Sequence, residues 1–212
     1  MLFVLELLLN NLKIELQNPL PGVDAQYVMA PASRPRIDLS SLEIWQYKQS
    51  AILILFCIDD KNNLFIPLIE RVPYIGAHSA QISFPGGKYE DGDIDLKTTA
   101  IRECFEEIGL RDEIEIMGKL TPLYIPVSGF LVEPYIGFCK IVDPPMLPHE
   151  REVKNILQLP LNNLLDEKLI VQGTVEVEGT KIKTPYFLVE GHKVWGATAM
   201  ILSELKSILA RL

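Results

Sequence analysis

The sequence predicts an α/β protein in which helices sandwich a mixed β-sheet. Three observations predict it: β-rich stretches lie on both sides of one amphipathic helix in mid-chain, a helix closes each end, and no repeat or low-complexity tract interrupts that order. The 212 residues suffice for one sizeable core, and 48% hydrophobic with 23% charged residues describes a soluble globule.

The elements follow in order. "MLFVLELLLNNLKIEL" reads as a helix of about fifteen residues. It lacks a basic leading region and a small-residue cleavage site, and Glu6 interrupts an apolar run too short to span a bilayer, so a packing helix is expected and a cytoplasmic location with it. "QNPLPGVDAQYVMAPASRPRIDL" is rich in Pro, Gly and Ser and reads as an extended connector. Residues 1–49 are therefore expected to form an N-terminal helix and connector, and residues 50–212 the main domain. "SAILILFCI" has the length and continuous apolarity of a buried strand; "DDKNN" supplies a turn and "LFIPLIE" the returning strand of a hairpin. A loop runs from Arg71 to Gly87. After the central helix, "EIEIMGKLTPLYIP" and "FLVEPYIGFCKIV" are β-rich, "LNNLLDEKL" a short helix, "GTVEVEGTKIKTPYFLV" a hairpin around Glu178 and Gly179, and "TAMILSELKSILARL" a closing amphipathic helix. Cys57, Cys104 and Cys139 are odd in number, without metal-ligand spacing and set in apolar or helical stretches, which predicts buried reduced thiols.

A formal net charge of -8 argues against a nucleic-acid backbone as partner, because that role wants basic patches. The same charge makes "SFPGGKYEDGDIDLKTTAIRECFEEIGL" a puzzle, since carboxylates a turn apart on a helix repel. Asp95 can cap a helix starting near Leu96 or Lys97, and Gly109 can end it. Ala100, Ile101, Cys104, Phe105 and Ile108 then share an apolar face, opposite Arg102, Glu103, Glu106 and Glu107. A Glu-Glu pair alone reads as a solvated face. Glu103 and Glu107, one turn apart, can instead converge on a hard cation such as Mg²⁺, with Glu106 close enough to serve a second. The two glycines of "FPGG" let the backbone approach a ligand closely.

At these residues the chain resembles the Nudix hydrolases. "RECFEEIGL" matches the second half of their signature, with Cys104 at a position where an aliphatic residue is preferred; in the first half one residue is inserted, and Asp93 stands where a Glu is usual. The resemblance implies an α/β/α sandwich, Mg²⁺ or Mn²⁺ held by Glu103, Glu106 and Glu107 with the Gly87 backbone, and Arg102 paired with an acid near Asp93 or Asp95. The insertion, together with "HSAQISFPGGK", "PLYIPVSGFLVEPYIGF", "REVKNILQLPL" and "TPYFLVEGHKVWGATAMIL", resembles the coenzyme A pyrophosphatase branch from Ala51 onward. That branch implies hydrolysis of coenzyme A to 4′-phosphopantetheine and adenosine 3′,5′-bisphosphate, with ADP-ribose or another nucleoside diphosphate derivative as alternative substrate and a non-catalytic nucleotide sensor as alternative role. Its upstream signature is met at Leu68 and Arg71 and departed from at Val72, Gly76 and Ala80, which implies only a modest preference for coenzyme A over its 3′-dephospho form. Glu106 and Glu107 are the implied catalytic carboxylates, and Glu150 and Glu152 the candidates for the general base, with Glu152 favoured. Arg71, Lys88 and His78 are the expected phosphate contacts, and Trp195 is read as a core anchor. The expected partner is a small nucleotide substrate, with no nucleic acid and no membrane; a homodimer is left open.

Overall fold

Along strand β1 (Lys48–Ile58) the side chains alternate between two cores. Ile54 and Phe56 face one apolar cluster, while Leu53, Leu55 and Cys57 face another. A strand buried on both faces has to read as an unbroken apolar run, as this one does. The structure, a computed structural model, describes residues 2–43, 47–72, 81–110, 114–177 and 179–212.

Strand β1 turns into β2 (Leu64–Arg71), and short strands β3 (Ile82–Ser83) and β4 (Gly86–Lys88) precede helix α3 (Leu96–Ile108). Strands β5 (Ile114–Lys119), β6 (Leu123–Ile125), β7 (Phe130–Val142) and β8 (Val153–Pro160) complete an eight-stranded sheet. Its backbone order is β3-β2-β1-β7-β5, with β4 also on β1, β6 on β7 and β8 on β2. The central β1–β7 pair is parallel and its other pairings are antiparallel, giving the mixed sheet that was predicted.

Ala100, Cys104 and Ile108 of α3 pack on the Leu53–Leu55–Cys57 face. The opposite face is covered by α1 (Leu2–Glu15), through Leu9 and Leu12, and by α5 (Gly196–Leu209), through Met200, Ile201 and Leu205. The architecture is thus the expected α/β/α sandwich. After the short helix α4 (Leu161–Leu165), strands β9 (Ile170–Val177), β10 (Thr180–Val189) and β11 (His192–Val194) form a separate antiparallel sheet in the order β11-β10-β9.

The connector differs from the extended segment expected. It contains a helix, α2 (Gly22–Tyr27), that docks on α5. Pro21 at its N-cap offers no side-chain hydrogen bond. Fully buried Glu204 of α5 replaces the cap, accepting from Gly22 N at 3.1 Å, Gln26 Nε2 at 2.9 Å and Thr121 Oγ1 at 2.7 Å. Ser203 Oγ donates to Ala25 O at 2.7 Å beside it. Among the described residues no helix is long and apolar enough to cross a membrane. Cys57, Cys104 and Cys139 are buried and not in disulfides, as expected.

Candidate active site

Helix α3 has the predicted ends. The Asp95 side chain accepts from Thr98 N at 2.7 Å, and Gly109 stops the helix at φ 78°, in the left-handed region. Its amphipathic pattern then seats Cys104 and Ile108 in the core and turns Glu103 and Glu107 toward the β4 edge, while Glu106 stays half exposed.

Glu107 is 1% exposed. Its Oε2 accepts from Gly86 N at 2.8 Å. Arg71 Nη1 stands 3.0 Å from Oε1, at ion-pair distance, but directs no hydrogen bond at it, so that buried oxygen is left without a donor. Burial pushes the Glu107 carboxyl up to about 7, against the opposing pull of Arg71 and the Gly86 amide. Glu103 is also raised by burial, with Arg102 opposing. A Cβ on Gly87 would lie 2.4 Å from the Glu103 carboxylate, so that carboxylate occupies the space a side chain would need. Gly86 is tighter still, because a Cβ there would meet Ala51 O at 2.4 Å and Ile52 Cα at 2.6 Å.

The repulsion in the acidic window is offset in large part by one guanidinium. Arg102 binds Asp93 through two parallel hydrogen bonds of 2.8 and 3.0 Å. Its Nη1 also donates to Glu103 at 2.8 Å and to Glu106 at 3.0 Å, and its Nη2 to Lys88 O at 3.0 Å. The guanidinium holds the Asp93 carboxyl well below the usual carboxylate range. Asp93 is therefore the partner of Arg102, and Asp95 is the helix cap.

A cavity of about 660 Å³ opens beside this cluster. It brings together Arg71, Gly87, Lys88, Glu103, Glu107 and Glu152. Arg71 is steadied by Ser83 Oγ at 3.2 Å and Gly86 O at 2.8 Å. Glu152 stands 3.8 Å from His149 Nδ1, and Glu150 is exposed and not among the lining residues. Glu106 is half exposed, paired with Arg102, and not in the lining. Among the described residues no three His, Cys, Asp or Glu side chains are gathered as a ready metal cage. His78, Gly76 and Ala80 lie outside the described residues.

Sequence reasoning missed part of this cavity. Trp195, read as a core anchor, is half-buried and lines it. Connector residues Pro31, Ser33, Arg34 and Pro35 line it too, as do Val177 and Ile182 of the β9–β10 hairpin. No local pattern marks them, because they reach the site only through tertiary packing.

Residues 47–172 match the NUDIX domain family. The chain belongs to the Nudix family. The mitochondrial coenzyme A diphosphatase NUDT8 of Homo sapiens is 36% identical over 165 residues, covering 76% of this chain and 69% of that protein. An uncharacterized Nudix hydrolase, NudL of Yersinia pestis (strain Pestoides F), is 29% identical over 160 residues, 74% of this chain and 78% of its own. The crystal structure of RenU, a Nudix hydrolase from M. smegmatis, superposes with a TM-score of 0.51 at 13% identity, over 87% of this chain and 94% of that one, and so shares the fold. In this Nudix hydrolase the "RECFEEIGL" segment forms most of α3 and "FPGGK" the β4 edge against it. The connector wall and the α5 end of the cavity fall outside the matched residues.

Proposed function

We propose that this Nudix hydrolase cleaves the diphosphate bond of coenzyme A or a derivative of it, releasing 4′-phosphopantetheine and adenosine 3′,5′-bisphosphate. Mg²⁺ or Mn²⁺ would be held by Glu103, Glu106 and Glu107 beside the Gly87 backbone. The observation that carries the site is the Glu107 carboxylate, buried at the cavity wall with one oxygen lacking a hydrogen bond. Hard oxygen donors and a backbone without a side chain at Gly87 fit a hard divalent cation. The substrate class is supported by the identity to a coenzyme A diphosphatase.

When bound, the metal supplies charge neutralisation for the diphosphate and a lowered pKa for a coordinated water. The protein's residues do the rest. Glu152 accepts a proton from the attacking water as that oxygen bonds to one phosphorus and the bridging oxygen leaves with the other. Arg71 and Lys88 donate to phosphate oxygens from the same wall. Arg102 keeps Glu103 and Glu106 oriented while Asp93 balances its charge. Ile52, Phe84, Phe130 and Trp195 line the less polar part of the cavity, where they exclude water and receive the organic part of the substrate.

The test is a substrate panel of coenzyme A, dephospho-coenzyme A and ADP-ribose with Mg²⁺ or Mn²⁺, with products separated by chromatography. Coenzyme A is expected to give the two named products. Cleavage of ADP-ribose without coenzyme A moves the assignment to another nucleoside diphosphate derivative. Binding of these compounds without any turnover makes the chain a nucleotide sensor.

A further inference from the structure

We infer that Arg34 is a second anion-binding point of the cavity, taking a phosphomonoester carried by the substrate at a distance from the diphosphate that is cleaved. The inference rests on the proposed reaction and adds a specificity-determining residue from outside the family's matched segment, residues 47–172.

Arg34 is held but not neutralised. Its Nη2 donates to Tyr124 O at 2.5 Å, and its Nε is buried with no hydrogen-bond partner. Among the described residues no carboxylate pairs with it. Three other arginines are already paired with carboxylates. Arg36 is paired with Asp24 at 2.6 Å and lies over the Tyr27 ring, and Arg71 and Arg102 serve Glu107 and Asp93. A buried Nε with no acceptor is costly to keep on an arginine in a chain whose net charge is -8 and which could readily supply a carboxylate. An incoming anion satisfies it, and the planar fork of N–H groups suits phosphate oxygens.

The wall that carries Arg34 is built, not loose. Arg34 N donates to Pro31 O at 2.9 Å, closing a turn between two prolines. Tyr27 Oη donates to Pro35 O at 2.7 Å, and Ala32 N reaches Lys183 O of β10 at 3.4 Å. Sheet register places this point relative to the glycine edge. Tyr89 N donates to Gln49 O, Gln49 is level with Leu131, and Leu131 with Tyr124. Tyr124 is thus opposite the end of β4 but three strands away, a separation on the order of 14 Å at about 4.8 Å per strand. One diphosphate does not bridge that gap, so Arg34 addresses a different part of the same substrate. The 3′-phosphate that distinguishes coenzyme A from dephospho-coenzyme A is a group of this class.

The experiment compares wild type with Arg34→Met and with Arg34→Gln, which keeps an N–H near the Nε position while removing the charge; melting curves establish that each is folded. Calorimetry measures binding of adenosine 3′,5′-bisphosphate and of adenosine 5′-monophosphate, and kinetics compare coenzyme A with dephospho-coenzyme A. Wild type is expected to bind the bisphosphate about tenfold or more tightly than the monophosphate, as a charge-assisted contact provides. Both variants lose that ratio, KM for coenzyme A rises by a similar factor, and the kcat/KM advantage over dephospho-coenzyme A disappears. Either folded variant retaining the wild-type binding ratio overturns the role of Arg34. Failure of wild type to cleave coenzyme A overturns the proposed reaction instead, and the binding ratios still decide Arg34.

Discussion

Adding one methyl group at either glycine of the β4 edge separates stability from catalysis. At Gly87 the new Cβ meets the Glu103 carboxyl group at 2.4 Å. That group is the free end of a flexible side chain, so it swings away and the backbone stays. The loss is one ion pair with Arg102, at a site where the Glu103 side chain is 13% and the Arg102 side chain 23% exposed, worth about 1 kcal/mol or less. Against it, Ala restricts the unfolded chain by about 0.4–1 kcal/mol. Gly87→Ala should therefore melt within about 4 °C of wild type. Its turnover should nevertheless fall about a hundredfold, because displacing the carboxylate proposed to hold the metal by roughly an ångström has that effect.

Gly86→Ala is the opposite case. Its Cβ would meet backbone, Ala51 O at 2.4 Å and Ile52 Cα at 2.6 Å, and neither can move without shifting β1. Overpacking of that kind costs about 1–3 kcal/mol or more, several degrees in Tm. The assays are thermal melts together with kcat for diphosphate hydrolysis at saturating Mg²⁺. A Gly87→Ala protein with wild-type kcat would refute the placement of Glu103. A Gly86→Ala protein with wild-type Tm would refute the steric argument itself.

Glu107→Gln should abolish nearly all turnover with the fold intact, whereas Glu152→Gln should lower kcat about 10²–10⁴-fold, the usual contribution of general acid–base catalysis; rate measurements on folded variants check both. Millimolar Mg²⁺ or Mn²⁺ should raise Tm, since a ligand at 100 times its Kd stabilises the native state by about 2.7 kcal/mol; a flat titration counts against a metal site at Glu103 and Glu107. Asp93→Asn should destabilise by about 2 kcal/mol, less than the roughly 3–5 kcal/mol of a fully buried pair, because Arg102 retains Glu103 and Glu106. The Asp93 carboxyl is held below its unfolded value, so its contribution is present above about pH 4 and is lost as pH falls through the folded value; denaturant melts of wild type and variant should converge in acid.

What could be read in the sequence was what short-range chemistry determines. Asp95 and Gly109 bound α3 through contacts within a few residues, and β1 announces itself by its own apolar run. Helix α2 could not be read, because its first amide is satisfied by Glu204, 182 residues away in the chain. Strand β8 presents Lys154, Asn155 and Gln158 to the outside and is defined by its pairing with β2. In the site, the carboxylate-bearing helix was visible because its spacing is local. Arg34 and Trp195 were not, since nothing near either one in sequence indicates a shared cavity. The partition of charge around Arg102 was half visible: an acid near Asp93 or Asp95 was required, but only the folded loop shows which one caps and which one pairs.

The Glu204 anchorage has a consequence for how substrate comes and goes. If α2 and the connector behind it peeled away from α5, Gly22 N and Gln26 would withdraw and leave Glu204 with two of its buried donors gone and Thr121 alone beside it. Leaving a buried acceptor without a donor costs about 1–3 kcal/mol each time, so losing both keeps the detached form to about a few per cent at most. The Pro31–Pro35 wall is accordingly a standing part of the binding chamber. Traffic of substrate and product has to use an opening that exists while this wall is in place, and no share of the binding energy is spent assembling it.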